Sequence, residues 1–143
     1  MVRKMTSEFA IAVHALVFLN HKQASQSSET IAENVCTHPV RIRKVLAKLK
    51  KADLVETKEG LNGGYVFVKH ACDVTLQMVG EALQEHPVEV KWDSGDADMD
   101  CLIASGMATI MARIYQRLNG ACYQELALIT IDDIDAKIFG RGN

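Results

Sequence analysis

Six cations fall between residues 41 and 51 (Arg41, Arg43, Lys44, Lys48, Lys50 and Lys51), with no acid among them. Arg41, Lys44, Lys48 and Lys51 recur at i, i+3, i+7 and i+10, the spacing of one face of an α-helix. An ordinary solvated face mixes signs, because like charges one turn apart repel by roughly a few tenths of a kcal/mol. An unrelieved cationic face suits a polyanion, whose phosphates it neutralises while releasing counterions. Arg41 and Arg43, near the start of the segment, are best placed for bases, since a guanidinium donates bidentately to guanine. Lys44 and Lys48 suit phosphates. A second group of candidates lies at Lys58, Asn62, Gly63, Gly64 and Tyr65. The two glycines read as a tight turn, as a point where a sugar–phosphate strand can approach the backbone, or as both. Ser28 and His38 complete the candidate set for DNA contact.

These residues need a scaffold. Ile42, Val45, Leu46 and Leu49 stand at i, i+3, i+4 and i+7, so the basic segment predicts a helix over 39–52 with a separate apolar stripe. Pro39 fits its first position. Upstream, Thr6-Ser7-Glu8 opens a helix that is apolar nearly all round to Leu19, as buried helices are. Residues 20–28 read as a polar loop, and Ser28 as the cap of a short helix over 29–35. Downstream, residues 54–57 and 65–68 predict two strands joined by the glycine-rich turn 60–64. This order is that of a winged helix-turn-helix, whose recognition helix enters the major groove while the hairpin lies along the backbone or in the minor groove.

The chain has 143 residues, 48% of them hydrophobic, enough for one domain with a real core. Its net charge of −2 hides a division. Residues 1–70 hold 11 basic residues and 6 acids, whereas residues 71–143 hold 5 basic residues and 12 acids. The front half is expected to face the polyanion. Four cysteines, without a C-x-x-C pair, are too few for a disulfide scaffold and point to free thiols in a reducing compartment. Arg3 and Lys4 ahead of the apolar run 9–19 imitate a targeting signal, but the run is too short to span a bilayer. A soluble, cytoplasmic protein without a membrane partner is expected.

In the rear half, Thr75 caps a helix predicted to reach about residue 85, and residues 86–100 form an acidic loop with four aspartates. A long helix over 101–120 follows. Its residues Ile103, Met107, Ile110, Ile114 and Leu118 step by 4, 3, 4 and 4, a stripe for a partner helix in a symmetric dimer. Thr130-Ile131-Asp132-Asp133 opens a last short helix. Cys101 reads either as an apolar filler or as a redox-sensing thiol: a helix N-terminus stabilises thiolate, and Asp98 and Asp100 oppose it. Cys36, Cys72 and Cys122 read as packing residues and His14 as a satisfied core histidine. The histidines lack ligand spacing and the loop aspartates lack EF-hand spacing, so no metal is expected. No nucleophile–base pairing is legible, so no enzyme is expected.

The chain resembles the IscR/NsrR/CymR group of winged-helix repressors, the Rrf-two superfamily. The likeness is carried by Phe9-Ala10-Ile11-Ala12-Val13-His14-Ala15-Leu16, by Ile31-Ala32-Glu33 and by residues 45–55. The wing Gly60-Leu61-Asn62-Gly63-Gly64-Tyr65, Thr75-Leu76 and Thr130-Ile131 complete it. The resemblance implies a homodimer with paired recognition helices and one long dimerisation helix per subunit. Relatives with an iron–sulfur cluster supply three cysteines from the loop before that helix, where this chain has only Cys101, so no cluster is expected. Glu59 departs from the basic residue such relatives often place ahead of the wing glycine.

The expected fold is mainly α with a small β-hairpin wing. A winged helix-turn-helix domain spans 1–85, the acidic loop 86–100, and the dimerisation helix and C-terminal short helix 101–143. The expected function is a sequence-specific DNA-binding transcriptional regulator, a repressor acting as a homodimer on a pseudo-palindromic operator, with a small-molecule or protein effector. The alternatives are a protein-interaction adaptor or a thiol-based redox sensor built on the same fold.

Overall fold

The computed structural model describes residues 2–3 and 5–141, with side chains from Met5 to Arg141. Helix α1 (Ser7–Lys22) buries Ile11, Ala12, Ala15, Leu16, Val17 and Leu19 and ends where Gln23 turns left-handed. Helix α2 (Ser28–Val35) is capped by Ser27, whose hydroxyl accepts from Thr30 N at 3.1 Å. The expected cap, Ser28, already lies in the helix and is buried. Helix α3 (Pro39–Lys51) starts at His38, whose Nδ1 accepts from Val40 N at 3.1 Å, and it buries Ile42, Val45, Leu46 and Leu49. The apolar stripe read from spacing is therefore the stripe that packs.

Strands β2 (Val55–Lys58) and β3 (Gly64–Phe67) pair antiparallel, with Val55 opposite Phe67 and Lys58 opposite Gly64. This is the expected wing. It is tied to the loop before α2, because Tyr65 N donates to Gln26 O at 2.8 Å and Gln26 N to Tyr65 O at 3.0 Å. Gly64 has φ +147°, and a Cβ there would collide with the Gln26 carbonyl. The close approach that this glycine permits is thus to the chain's own backbone.

After a single 3₁₀ turn (Ala71–Asp73) comes α4 (Leu76–Ala82), capped by Thr75 and shorter than expected. The acidic segment contains a short strand, β4 (Glu89–Val90), paired with β1 (Val2–Arg3). Helix α5 (Leu102–Leu126) has 25 residues, six beyond the expected end, and would be about 37 Å long at 1.5 Å per residue. None of its residues is buried. Its C-terminal half is anchored by Asn119, which exchanges two 2.7 Å hydrogen bonds with the Val88 backbone, and by Tyr123, whose hydroxyl donates to Glu85 O. Gly80 leaves room for the Tyr123 ring. The Glu85 carboxylate is buried against α1, accepting from Thr6 N at 3.2 Å and from the Thr6 hydroxyl.

Helix α6 (Ile131–Ile138) opens with a capping box between Thr130 and Asp133 and folds back onto α1. Ile131 is fully buried in the same core as Leu16, Ile42 and Leu46. His14 does not take the core position expected of it: it is exposed on α1 and bonds Asn34 Oδ1 at 2.8 Å. The helix presents His14 beside the buried face formed by Ile11, Ala12, Ala15 and Leu16, so an apolar neighbourhood in sequence is not one in space. Cys36 and Cys72 are likewise exposed rather than packed. Among the described residues no helix is long and apolar enough to cross a membrane.

The docking of α6 carries a prediction. Ile131→Ala should lower unfolding free energy by about 2–5 kcal/mol, the usual cost of emptying a well-packed aliphatic site. Urea unfolding followed by circular dichroism measures it. A loss below about 0.5 kcal/mol would mean that α6 is not part of this core.

Candidate nucleic-acid interface

The buried stripe of α3 decides which side chains look outward. At about 100° per residue, Val40, Lys44, Ala47 and Lys51 lie opposite the centre of that stripe, and all four are exposed. Arg41 and Lys48 lie on one flank and Arg43 and Lys50 on the other. Each flank is held by its neighbours. Arg41 donates to Ser7 Oγ at 2.6 Å, and Arg43 to Ser28 Oγ at 3.1 Å and Glu29 at 3.4 Å. Lys50 donates to Thr57 Oγ1 at 3.0 Å. Ser28, a candidate for DNA contact, is a buried support for Arg43; His38 serves as the α3 cap.

Lys44 and Lys48 share one carboxylate. Glu8, in the first turn of α1, lies 3.1 Å from Lys44 Nζ and 3.0 Å from Lys48 Nζ, with its side chain only 22% exposed. The hydrogen bond from Lys48 is the main cause holding the Glu8 carboxyl below its ordinary range, with Lys44 adding to it. The α3 cations are thus partly neutralised by the protein. Spacing did not reveal Glu8, because it lies some forty residues upstream.

At the wing, Lys58 and Gly64 face each other at the end of the strand pair, and the Asn62 carbonyl accepts from the Ser25 hydroxyl. A Cβ on Gly63 would strike the Lys58 carbonyl, so the turn itself requires this glycine. Tyr65 packs its ring partly against the core. Leu61, fully exposed at the tip, is an apolar residue that a search for polar chemistry passes over. So is Val40, 55% exposed in the first turn of α3.

The rear half presents two further features. Ile103, Ile110, Ile114 and Leu118 of the α5 stripe are exposed, and Met107 is half-buried. Cys101, exposed at the start of α5, has its thiol pulled below its ordinary value by the backbone N–H groups of Ala104 and Ile103. The expected opposition of Asp98 and Asp100 does not prevail. Among the described residues no group of three or more His, Cys, Asp or Glu side chains is placed to hold a metal ion.

Glu8 yields two predictions. Glu8→Gln should tighten binding to a generic 20-bp duplex by about three- to tenfold at low salt, since one repelling charge near the phosphates is removed. Fluorescence anisotropy reads this, and weaker binding would mean that Glu8 instead holds the lysines in their binding pose. Because the folded-state pKa is depressed, Glu8's contribution to stability is complete above about 4.5 and is lost as pH falls through the lower folded value. In urea unfolding the advantage of the native protein over Glu8→Gln, at most about 1 kcal/mol for so accessible a pair, should vanish in that acid range. An advantage unchanged at acid pH would contradict it.

The model of the family described as Rrf2, iron-dependent transcriptional regulator, matches residues 5–137. The chain is 27% identical over 135 residues to YwnA of Bacillus subtilis, described as an HTH-type transcriptional regulator, covering 94% of this chain and 99% of that one. A solved structure of a transcriptional regulator from Lactobacillus plantarum superposes with TM-score 0.80 at 21% identity, covering 92% of this chain and 89% of that one. CymR, the global cysteine regulator of B. subtilis, superposes at 0.69 and 19% identity, covering 94% and 98%. At these identities the structural likeness establishes the winged-helix fold. Iron is named in the family description; among the described residues no cysteine belongs to a group of three or more His, Cys, Asp or Glu side chains placed to hold a metal ion. With the family model spanning nearly its whole length, the chain belongs to the Rrf2 family of transcriptional regulators.

Proposed function

We propose that this regulator is a cytoplasmic, non-catalytic repressor that binds a pseudo-palindromic operator as a homodimer. The observation that carries the reading is the outward cationic face of α3 beside the hairpin wing, in a chain whose longest helix leaves an apolar stripe exposed. Lys44 and Lys51 face a docked duplex, while Arg41, Arg43, Lys48 and Lys58 flank it. The α5 stripe of Ile103, Met107, Ile110, Ile114 and Leu118 pairs two copies, so that two α3 helices address successive major grooves. A domain division at 1–85, 86–100 and 101–143 then separates reading head, acidic connection and pairing helix, with α6 returned to the head. An apolar groove of about 670 Å³ between α1 and α6, lined by Phe9, Val13, Phe18, Ile134 and Phe139, is a surface on which an effector could act.

A second reading has one observation in its favour, the lowered pKa of the exposed Cys101 thiol at the base of α5. Oxidation there would act on the pairing helix rather than on α3.

Two measurements test the repressor reading and a third tests the thiol reading. Duplex affinity should fall by roughly 0.9 log units per log unit of salt for each phosphate contact, and Arg41→Ala with Lys44→Ala should weaken binding and flatten that slope. A flat salt response in the native protein would favour the adaptor alternative. Ile110→Asp should turn a dimer into monomers by analytical ultracentrifugation; a native protein already monomeric at micromolar concentration would contradict the pairing. A mild electrophile at neutral pH should label Cys101 ahead of Cys122, and absence of labelling would dispose of the thiol reading.

A further inference from the structure

The candidate base readers named from residue type, Arg41 and Arg43, are both turned aside to hydroxyls and a carboxylate of the neighbouring helices. The outward stripe of α3 is left with Val40 in its first turn, Lys44 one turn on, then Ala47 and Lys51. Val40 is 55% exposed, whereas the four core residues of the same helix are fully buried. A lone exposed valine on a surface helix needs no explanation. This one is fixed by the α3 cap, its N–H bonded to His38 Nδ1, and lies between arginines on both flanks with Lys44 next along the same face. The first turn of a recognition helix is the part that reaches base edges. There the apolar feature of the major groove is the thymine C5 methyl.

We propose that Val40 reads a thymine methyl in each operator half-site and so sets specificity at that base pair. The inference rests on the DNA-binding reading above. Its branched side chain has no hydrogen-bonding atom, so it discriminates by burying the methyl and by leaving the polar groups of other base pairs unpaired. Lys44 and the flanking arginines then supply phosphate contact and register, which carry no sequence information themselves.

The test begins with selection of tight-binding duplexes from a random 30-bp pool by the full chain. In the selected duplex each thymine is replaced singly by deoxyuridine, which removes only the methyl. At one thymine per half-site the native protein should lose about three- to fivefold in affinity, the scale of one buried methyl. Val40→Ala, whose exposed position spares the fold, should bind the thymine duplex that much more weakly and show no further loss with deoxyuridine at that site. If no deoxyuridine substitution costs the native protein more than it costs Val40→Ala, the inference is overturned while DNA binding stands. If no duplex is enriched at all, the DNA-binding reading falls and this inference with it.

Discussion

The burial of Ile42, Val45, Leu46 and Leu49 against α1 and α2 is the constraint on which the rest depends. A helix has one rotation about its axis. Once those four side chains are out of water, every other residue of α3 has its direction assigned. Rotating α3 by even one residue would expose part of this stripe and bring charge into the core, at a cost of several kcal/mol. The outward face is therefore a consequence of packing, and its chemistry is whatever residues stand at 40, 44, 47 and 51.

Charge refines what packing assigns. The carboxylate of Glu8 ties the first turn of α1 to the middle of α3 through two lysines. Such accessible pairs add little stability, yet they place a negative charge beside the cationic face of α3. With α3 docked on a duplex as proposed, that charge would moderate non-specific attraction and leave a larger share of discrimination to contacts with base edges. At the same end of α1, the buried Glu85 carboxylate receives Thr6, and its backbone carbonyl receives Tyr123 of α5. One short segment thus connects the long helix α5 to the start of α1, and through Glu8 to α3.

The basic stripe, the apolar stripe, the wing and the long helix were legible because each is a local pattern with a period of its own. Helix starts at Thr75 and Thr130 were legible for the same reason, since a cap is a short-range hydrogen bond. What escaped was set by contacts between distant residues. The pairing of Glu8 with Lys48 spans forty positions, and the return of α6 to α1 places Ile131 beside residues more than a hundred positions earlier. His14 was misplaced because composition around a residue does not say which way a helix face turns, and Cys36 because it is the exposed left-handed cap that ends α2. Val40 was passed over for a different reason: a search for donors and acceptors does not look for apolar chemistry, although the helical angle alone separates Val40 from the core stripe.

In the proposed complex two α3 helices, related by pairing through α5, lie in successive major grooves of one duplex. Hydroxyl-radical footprinting on a selected duplex tests it most directly. Two protected patches related by a two-fold axis are expected, centred about one helical turn or a whole multiple of it apart. A single protected patch, or uniform protection independent of sequence, would contradict it.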